Sequence, residues 1–286
     1  MKRFGFAMAL ALALAPGAHA QGQARDRLLA ANAAGLNLKS ANALVIEQEG
    51  GRVLYAKNEA EVVPIASITK LMTGLVVLES GLPLAEPVTI SEADVDDVKR
   101  TRSRLRVGVT ITRGDLLKLA LMASENRAAA ALTRAYPGGT RAFVAAMNQK
   151  AVELGMWRTR FVDGTGLSSE NVSTAQDLAR LVAAAYREPL IREYSTEPSH
   201  AVRLADGSLL HYRNSNGLVR NPKWEIGLSK TGYISEAGRC LVMQARIAAT
   251  PVIIVLLDSW GRLTRIGDAN RIKHWIESTV SRQPAG

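Results

Sequence analysis

Pro64-Ile-Ala-Ser67-Ile-Thr-Lys70-Leu-Met-Thr73 reads as an extended approach that turns into a helix. Pro64 biases Val63 toward extended backbone. Beyond it, Ile68, Leu71, Met72, Leu75 and Val76 recur at helical spacing, and Gly81 offers a stop. Ser67 therefore falls at the first turn, with Lys70 three residues on along the same face. A hydroxyl beside an amine at the positive end of a helix dipole favours a developing alkoxide and disfavours a protonated amine. Burial of that amine in an apolar face lowers its pKa further. A serine next to a neutral lysine is an activated nucleophile. Taken alone, S-x-x-K is weak, because ordinary Ser and Lys usage gives about one match in a chain of this length. A helix-capping serine followed by a surface lysine is then the plainer reading, and the rest of the chain has to decide.

The 286 residues are 47% hydrophobic and 22% charged, which allows a sizeable core in one large domain or two small ones. Cys240 stands alone, so no intrachain disulfide forms. There is no C-x-x-C or H-E-x-x-H, and the four histidines are scattered, so neither a metal nor a cofactor is expected. The formal charge of +10 suits polyanionic surroundings, whether nucleic acid, anionic lipid or a carboxylate-rich polymer. Residues 1–20 have the form of a secretory signal: basic Lys2-Arg3, an apolar run from 4 to 15, a Pro16-Gly17 break, then Ala18-His19-Ala20 before Gln21. The run is too short to span a bilayer, and no cysteine follows for lipid attachment. Residues 21–286 are expected as one exported, soluble domain.

Outward from Ser67 the elements follow in order. A short helix is expected over 23–35. Residues 43–48 and 52–57 flank Glu49-Gly50-Gly51 as a hairpin. Residues 86–90 are extended. Lys99-Arg-Thr-Arg-Ser-Arg-Leu-Arg106, the densest basic run, reads as a solvated loop, and without interleaved aromatics it makes no stacking platform for nucleic acid. Thr112 and Asp115 form a capping-box start to a helix. Ser124-Glu-Asn126 breaks it from an alanine-rich helix, and another runs from 141 to 154. Residues 161–167 are glycine-punctuated loop without a phosphate-binding pattern. Thr174 and Asp177 cap a further helix. Residues 201–205 and 208–212 flank Asp206-Gly207 as a second hairpin. Strands follow at 225–233, 240–248 and 251–258, the last apolar throughout over 252–257 and therefore central. A closing helix carries Ile266, Ala269, Ile272, Ile276 and Val280 on one stripe. The four tryptophans are assigned to the core and Cys240 to a buried strand position. Strands near both ends with helices between make an α+β domain whose termini pack together.

Lys230-Thr231-Gly232 ends a predicted strand. Alone it is a turn with a surface lysine. In order with S-x-x-K and an S-x-N, it completes the set seen in penicillin-binding proteins and their β-lactamase relatives. S-x-N occurs at Ser40-Ala-Asn42, Ser124-Glu-Asn126 and Ser169-Glu-Asn171. The first precedes the nucleophile and the third lies in the glycine-rich loop. Ser124 alone stands at a break between helices, where side chains can enter a cleft.

The blocks around Ser67, Met122-Ala-Ser124-Glu-Asn-Arg and Lys230-Thr-Gly-Tyr-Ile-Ser-Glu-Ala-Gly-Arg-Cys resemble the low-molecular-mass penicillin-binding proteins, and within them the D-alanyl-D-alanine endopeptidases, over about residues 38 to 280. The resemblance implies a β-lactamase/D,D-peptidase-like fold, with an antiparallel sheet flanked by helices and an inserted helical lobe. It implies that Ser67 attacks a D-Ala carbonyl, Lys70 takes its proton and Ser124 relays a proton to the leaving amine. Asn126 would hold substrate amide or the Lys70 amine. Lys230 and Thr231 would hold the peptide's carboxylate or amide end, with Gly232 leaving room for a substrate backbone. The N–H groups of Ser67 and Tyr233 would form the oxyanion hole. Peptidoglycan stem peptides would be the substrate in cell-wall remodelling and β-lactams covalent inhibitors, in the periplasm, with no nucleic acid.

Three rivals remain. A class A β-lactamase needs a glutamate that activates water, in an E-x-x-L-N-like context, and none follows Ser124. A D,D-carboxypeptidase shares every motif. Many of these continue into a second domain and an amphipathic membrane anchor, for which the fifty or so residues after Gly232 leave no room. A non-catalytic wall- or nucleic-acid-binding module would use the basic surface alone.

Overall fold

The computed structural model describes residues 35–281, so the signal expected over 1–20 and nearly all of the helix expected over 23–35 lie outside the described residues. β1 (Ser40–Glu47) and β2 (Val53–Lys57) form the first hairpin. The chain then crosses β3 (Val63–Pro64), makes a single 3₁₀ turn at Ala66–Ile68 and runs into α1 (Thr69–Glu79). β4 (Pro87–Thr89) pairs with β5 (Thr110–Thr112), which leads into α2 (Arg113–Met122). Next come α3 (Asn126–Arg134), α4 (Gly139–Glu153), β6 (Val172–Ser173), α5 (Ala175–Ala185) and α6 (Pro189–Thr196). The β7 (Ser199–Arg203) and β8 (Leu209–Arg213) hairpin precedes β9 (Glu225–Ile234), β10 (Gly238–Ile247), β11 (Thr250–Ser259) and α7 (Thr264–Ser281).

The main sheet is antiparallel in the order β2-β1-β11-β10-β9. β11 is central, as its unbroken apolar run predicts: Val255 lies between Leu44 of β1 and Val242 of β10. Its side chains alternate between two buried faces. Val252, Ile254 and Leu256 pack with Ala269, Ile272 and Ile276 of α7. Ile253, Val255 and Leu257 pack with the helical lobe, including Leu71, Leu178 and Val182. A strand covered on both faces has no solvent side to mark with polar residues. Each such side chain contributes about 1.5–3 kcal/mol on burial. The ends of the chain meet as expected, and a carboxylate pins them. Asp268 of α7 accepts the backbone N–H of Lys39 and Ser40 and the Ser40 hydroxyl at 2.6 Å. The first S-x-N is thus a structural fastening.

Both expected caps form: Thr112 accepts from Asp115 N–H at 3.0 Å, and Thr174 from Asp177 N–H at 3.1 Å. Gly81, Gly155 and Gly207 take left-handed backbone where a stop or turn was expected. Cys240 is fully buried, and burial pushes its thiol up to about 11.

Three features differ from the sequence reading. α6 has no counterpart in it; only Pro189 at its first turn gives a signal, because the helix is short. Trp224 and Trp275 are core, but Trp157 and Trp260 are 75% and 87% exposed, Trp157 in a turn after its helix and Trp260 at the irregular position just past its strand, where no stripe draws either inward. The basic run is only half solvated. Arg100, Arg102, Arg104 and Arg106 are exposed as expected, whereas Leu105 is buried and Thr101 turns inward to the site below. No described helix is long and apolar enough to cross a membrane.

Candidate active site

Ser67 lies one 3₁₀ turn ahead of α1, with its backbone clamped from two sides. Ala66 is held at φ +48°, in the left-handed region that alanine avoids. From one side comes Gly166, where a Cβ would fall 2.1 Å from the Ala66 carbonyl oxygen and 2.9 Å from Ser67 N. From the other comes Gly232 of β9, where a Cβ would fall 3.1 Å from Ser67 N. Only glycines allow strand, nucleophile and loop to meet this closely. Ser67 N–H thereby lies beside the strand whose next residue is Tyr233, so the two expected oxyanion donors belong to adjoining segments.

Lys70 is fully buried, three residues along the same face. Its Nζ lies 2.9 Å from Ser67 Oγ, 2.7 Å from Asn126 Oδ1 and 2.6 Å from the Thr165 carbonyl oxygen. The Asn126 amide is oriented by a chain of bonds with one possible polarity. The Asp96 carboxylate only accepts, so Thr101 Oγ1 donates to it at 2.7 Å and accepts from Asn126 Nδ2 at 3.0 Å. Asn126 Oδ1 is left facing the amine. Protonated, Lys70 spends its three N–H groups on three acceptors. Deprotonated, it keeps two for Asn126 and Thr165, and its lone pair is left for the one partner that can donate, the Ser67 hydroxyl. Burial lowers the Lys70 pKa to about 8 against the opposing pull of Asp163, Glu125 and Asp96. At neutral pH about one amine in ten is then free, roughly 300-fold more than for an ordinary lysine. The site can generate a serine alkoxide.

Ser124 projects from the break between α2 and α3 at φ +59°. Strained backbone of this kind persists where surrounding structure enforces it. Its Oγ lies 2.8 Å from Lys230 Nζ, which also donates to Thr231 O at 2.8 Å. Thr231 Oγ1 donates to Ser215 Oγ at 2.8 Å. Lys230 is buried, and burial, then the Lys70 and Arg265 charges, hold its pKa well below the usual lysine value. Every residue named from the sequence is therefore in or beside one cleft, with Ser124 bonded to Lys230 rather than to Lys70.

Several contributors carry no motif. The Thr165 carbonyl comes from the loop read as plain connection. Asp163 builds that loop, accepting from Thr165 N, Gly166 N and Ser168 N at 2.6, 2.6 and 3.0 Å. Asn171, of the S-x-N set aside in that loop, is buried and bridges Thr69 Oγ1 at 3.0 Å to the Asp163 carbonyl at 2.9 Å, tying the loop to α1. Its signal was the glycine spacing around Asp163. Arg265, at the start of α7, has its Nε and Nη1 buried without a partner.

The family model described as D-alanyl-D-alanine carboxypeptidase matches residues 29–261. A D-alanyl-D-alanine endopeptidase of Pseudomonas aeruginosa is 51% identical over 242 residues, 84% of this chain and 78% of that protein. A D-alanyl-D-alanine endopeptidase of Escherichia coli is 45% identical over the same shares. The crystal structure of a Streptomyces DD-transpeptidase superposes with a TM-score of 0.78 at 29% identity, covering 85% of this chain and 98% of that one.

Proposed function

We propose, since this chain belongs to the D-alanyl-D-alanine carboxypeptidase family of serine hydrolases, that it acts as a D,D-endopeptidase, cutting D-alanyl cross-links of peptidoglycan through an acyl group on Ser67. The observation that carries the chemistry is the Lys70 amine 2.9 Å from Ser67 Oγ, with its other two positions held by acceptors. Neutral Lys70 takes the hydroxyl proton as Oγ attacks the D-Ala carbonyl. The N–H groups of Ser67 and Tyr233 receive the oxyanion. The C–N bond then breaks, and the leaving amine receives a proton by way of Ser124, itself bonded to Lys230. Water cleaves the acyl-serine and restores Ser67. Lys230, Thr231 and the unpartnered Arg265 hold the carboxylate beside the scissile amide, and Asn126 fixes the Lys70 amine.

Turnover of β-lactams by a class A route finds no support. Glu170, the glutamate nearest the required context, is 64% exposed and paired with Arg160 at 3.0 Å. β-Lactams are therefore expected to remain on Ser67 as inhibitors. Residues 1–20 would serve as the export signal and 21–286 as the peptidase domain, acting on stem peptides in the periplasm.

The closeness of the endopeptidase relatives favours the cross-link over terminal D-Ala, the carboxypeptidase reading of the same chemistry. Purified protein should split cross-linked dimeric muropeptides into monomers faster than it trims monomeric pentapeptide, measured by chromatography of the products. Trimming of pentapeptide with intact dimer would overturn the endopeptidase reading.

A further inference from the structure

Past Thr231 the cleft leads to a cavity of about 440 Å³, and it is cationic. Ser215 joins it to Thr231. Arg239 reaches it from β10, and Arg262 and Arg265 from the turn and first residues of α7. No aspartate or glutamate lines it, and among the described residues none of these three arginines has a carboxylate partner. Arg239 stacks on the exposed ring of Tyr233, 4.3 Å from its centroid, which fixes the guanidinium at the cleft's rim. Arg265 presents two buried, unpartnered nitrogens. By contrast, Arg134 is paired with Asp94 and Arg113 with Glu86. Three guanidiniums sharing one cavity without a counter-charge repel each other, and a bound anion relieves that repulsion.

The cavity lies on the side where, in the function proposed above, the leaving group sits. Arg265 accounts for the carboxylate beside the scissile amide. A leaving D-alanine has no other. A leaving stem peptide carries at least one more, farther along the branch. We infer that Arg239 and Arg262 form a second carboxylate subsite that binds the distal carboxylate of the leaving peptide, and so selects a cross-linked strand over a terminal D-alanine. This rests on the reading of the cleft given above, but not on turnover.

The test is competition against acylation by fluorescent penicillin. The competitors are a free stem peptide with two carboxylates, and the same peptide with its distal carboxylate amidated. The diacid should slow wild-type acylation at about tenfold lower concentration than the amide, a preference that shrinks as salt rises. In Arg239→Gln/Arg262→Gln protein the two competitors should agree within about twofold. Should the double variant fail to fold, Arg262→Gln alone changes an exposed side chain and should lose part of the preference. Equal competition by diacid and amide in wild type, or no competition by either, overturns the subsite. So does a preference that survives both substitutions. Competition needs binding only, so a protein that reads the second carboxylate but leaves dimer uncut would refute the endopeptidase reading and keep the subsite.

Discussion

Lys70→Met protein is expected to be acylated by penicillin about 10²- to 10⁴-fold more slowly than wild type, the range lost when a positioned general base is removed. Methionine fills nearly the same buried volume without a charge, so α1 should stay in place and the melting temperature should change little. What goes is the one basic group bonded to the Ser67 hydroxyl among the described residues, since its other neighbour, the Thr165 carbonyl at 3.5 Å, accepts a hydrogen bond but is too weak a base to take the proton. The pH profile gives an independent signature. Burial places the Lys70 pKa at about 8, and the reactive form is the deprotonated one. Wild-type acylation should therefore rise with pH through about 8 and level off above it. The residual rate of Lys70→Met should lack that inflection. A variant within tenfold of wild type, or one retaining the inflection, would assign the base elsewhere.

Gly166→Ala should lower acylation by about a hundredfold while leaving most of the fold intact. Gly166 has φ +79°, and the new Cβ would lie 2.1 Å from the Ala66 carbonyl oxygen, well inside contact distance. Left-handed backbone costs alanine about 1–2 kcal/mol. The larger consequence is geometric, because the clash is with the backbone of the nucleophile's own turn and not with a flexible side chain. Relief requires either the 163–168 loop or the Ala66–Ser67 peptide to move. In the first case the Thr165 carbonyl leaves Lys70, and in the second Ser67 N–H leaves Gly232. A displacement of about 1 Å at reacting atoms costs about 10²-fold. Stopped acylation assays with a thermal melt alongside would check this. Gly50→Ala, in a turn with nothing within 4 Å of its Cβ, is the control for left-handed strain without the clash and should keep full acylation.

The side chains that meet in the cleft were legible in the sequence. Ser67, Lys70, Ser124, Asn126, Lys230 and Thr231 stand in short blocks, and the structure gathers them in one cleft. The elements that carry them were legible for the same local reasons: capping at Thr112 and Thr174, turn glycines, and an apolar run too uniform for an edge strand. What escaped acts through the backbone or across long separations. The Thr165 acceptor is a peptide oxygen, which any residue supplies, so its identity leaves no mark. Thr101 orients Asn126 from within a run whose charges point to solvent, and charge density hid the inward hydroxyl. Arg265 lies at the start of a helix whose apolar stripe explains the rest of its sequence, and its orphaned guanidinium is visible only once β9 and β10 are alongside. The outward tryptophans misled because aromatic burial is a tendency of periodic elements, and both stand just outside one.

The most direct measurement is the site of covalent labelling. Protein incubated with penicillin, quenched and digested with trypsin should carry one penicillin mass on the peptide spanning residues 58–70, in which Ser67 is the sole serine. No adduct, or an adduct on any other peptide, would mean that the buried amine and hydroxyls around Ser67 do not make a nucleophile.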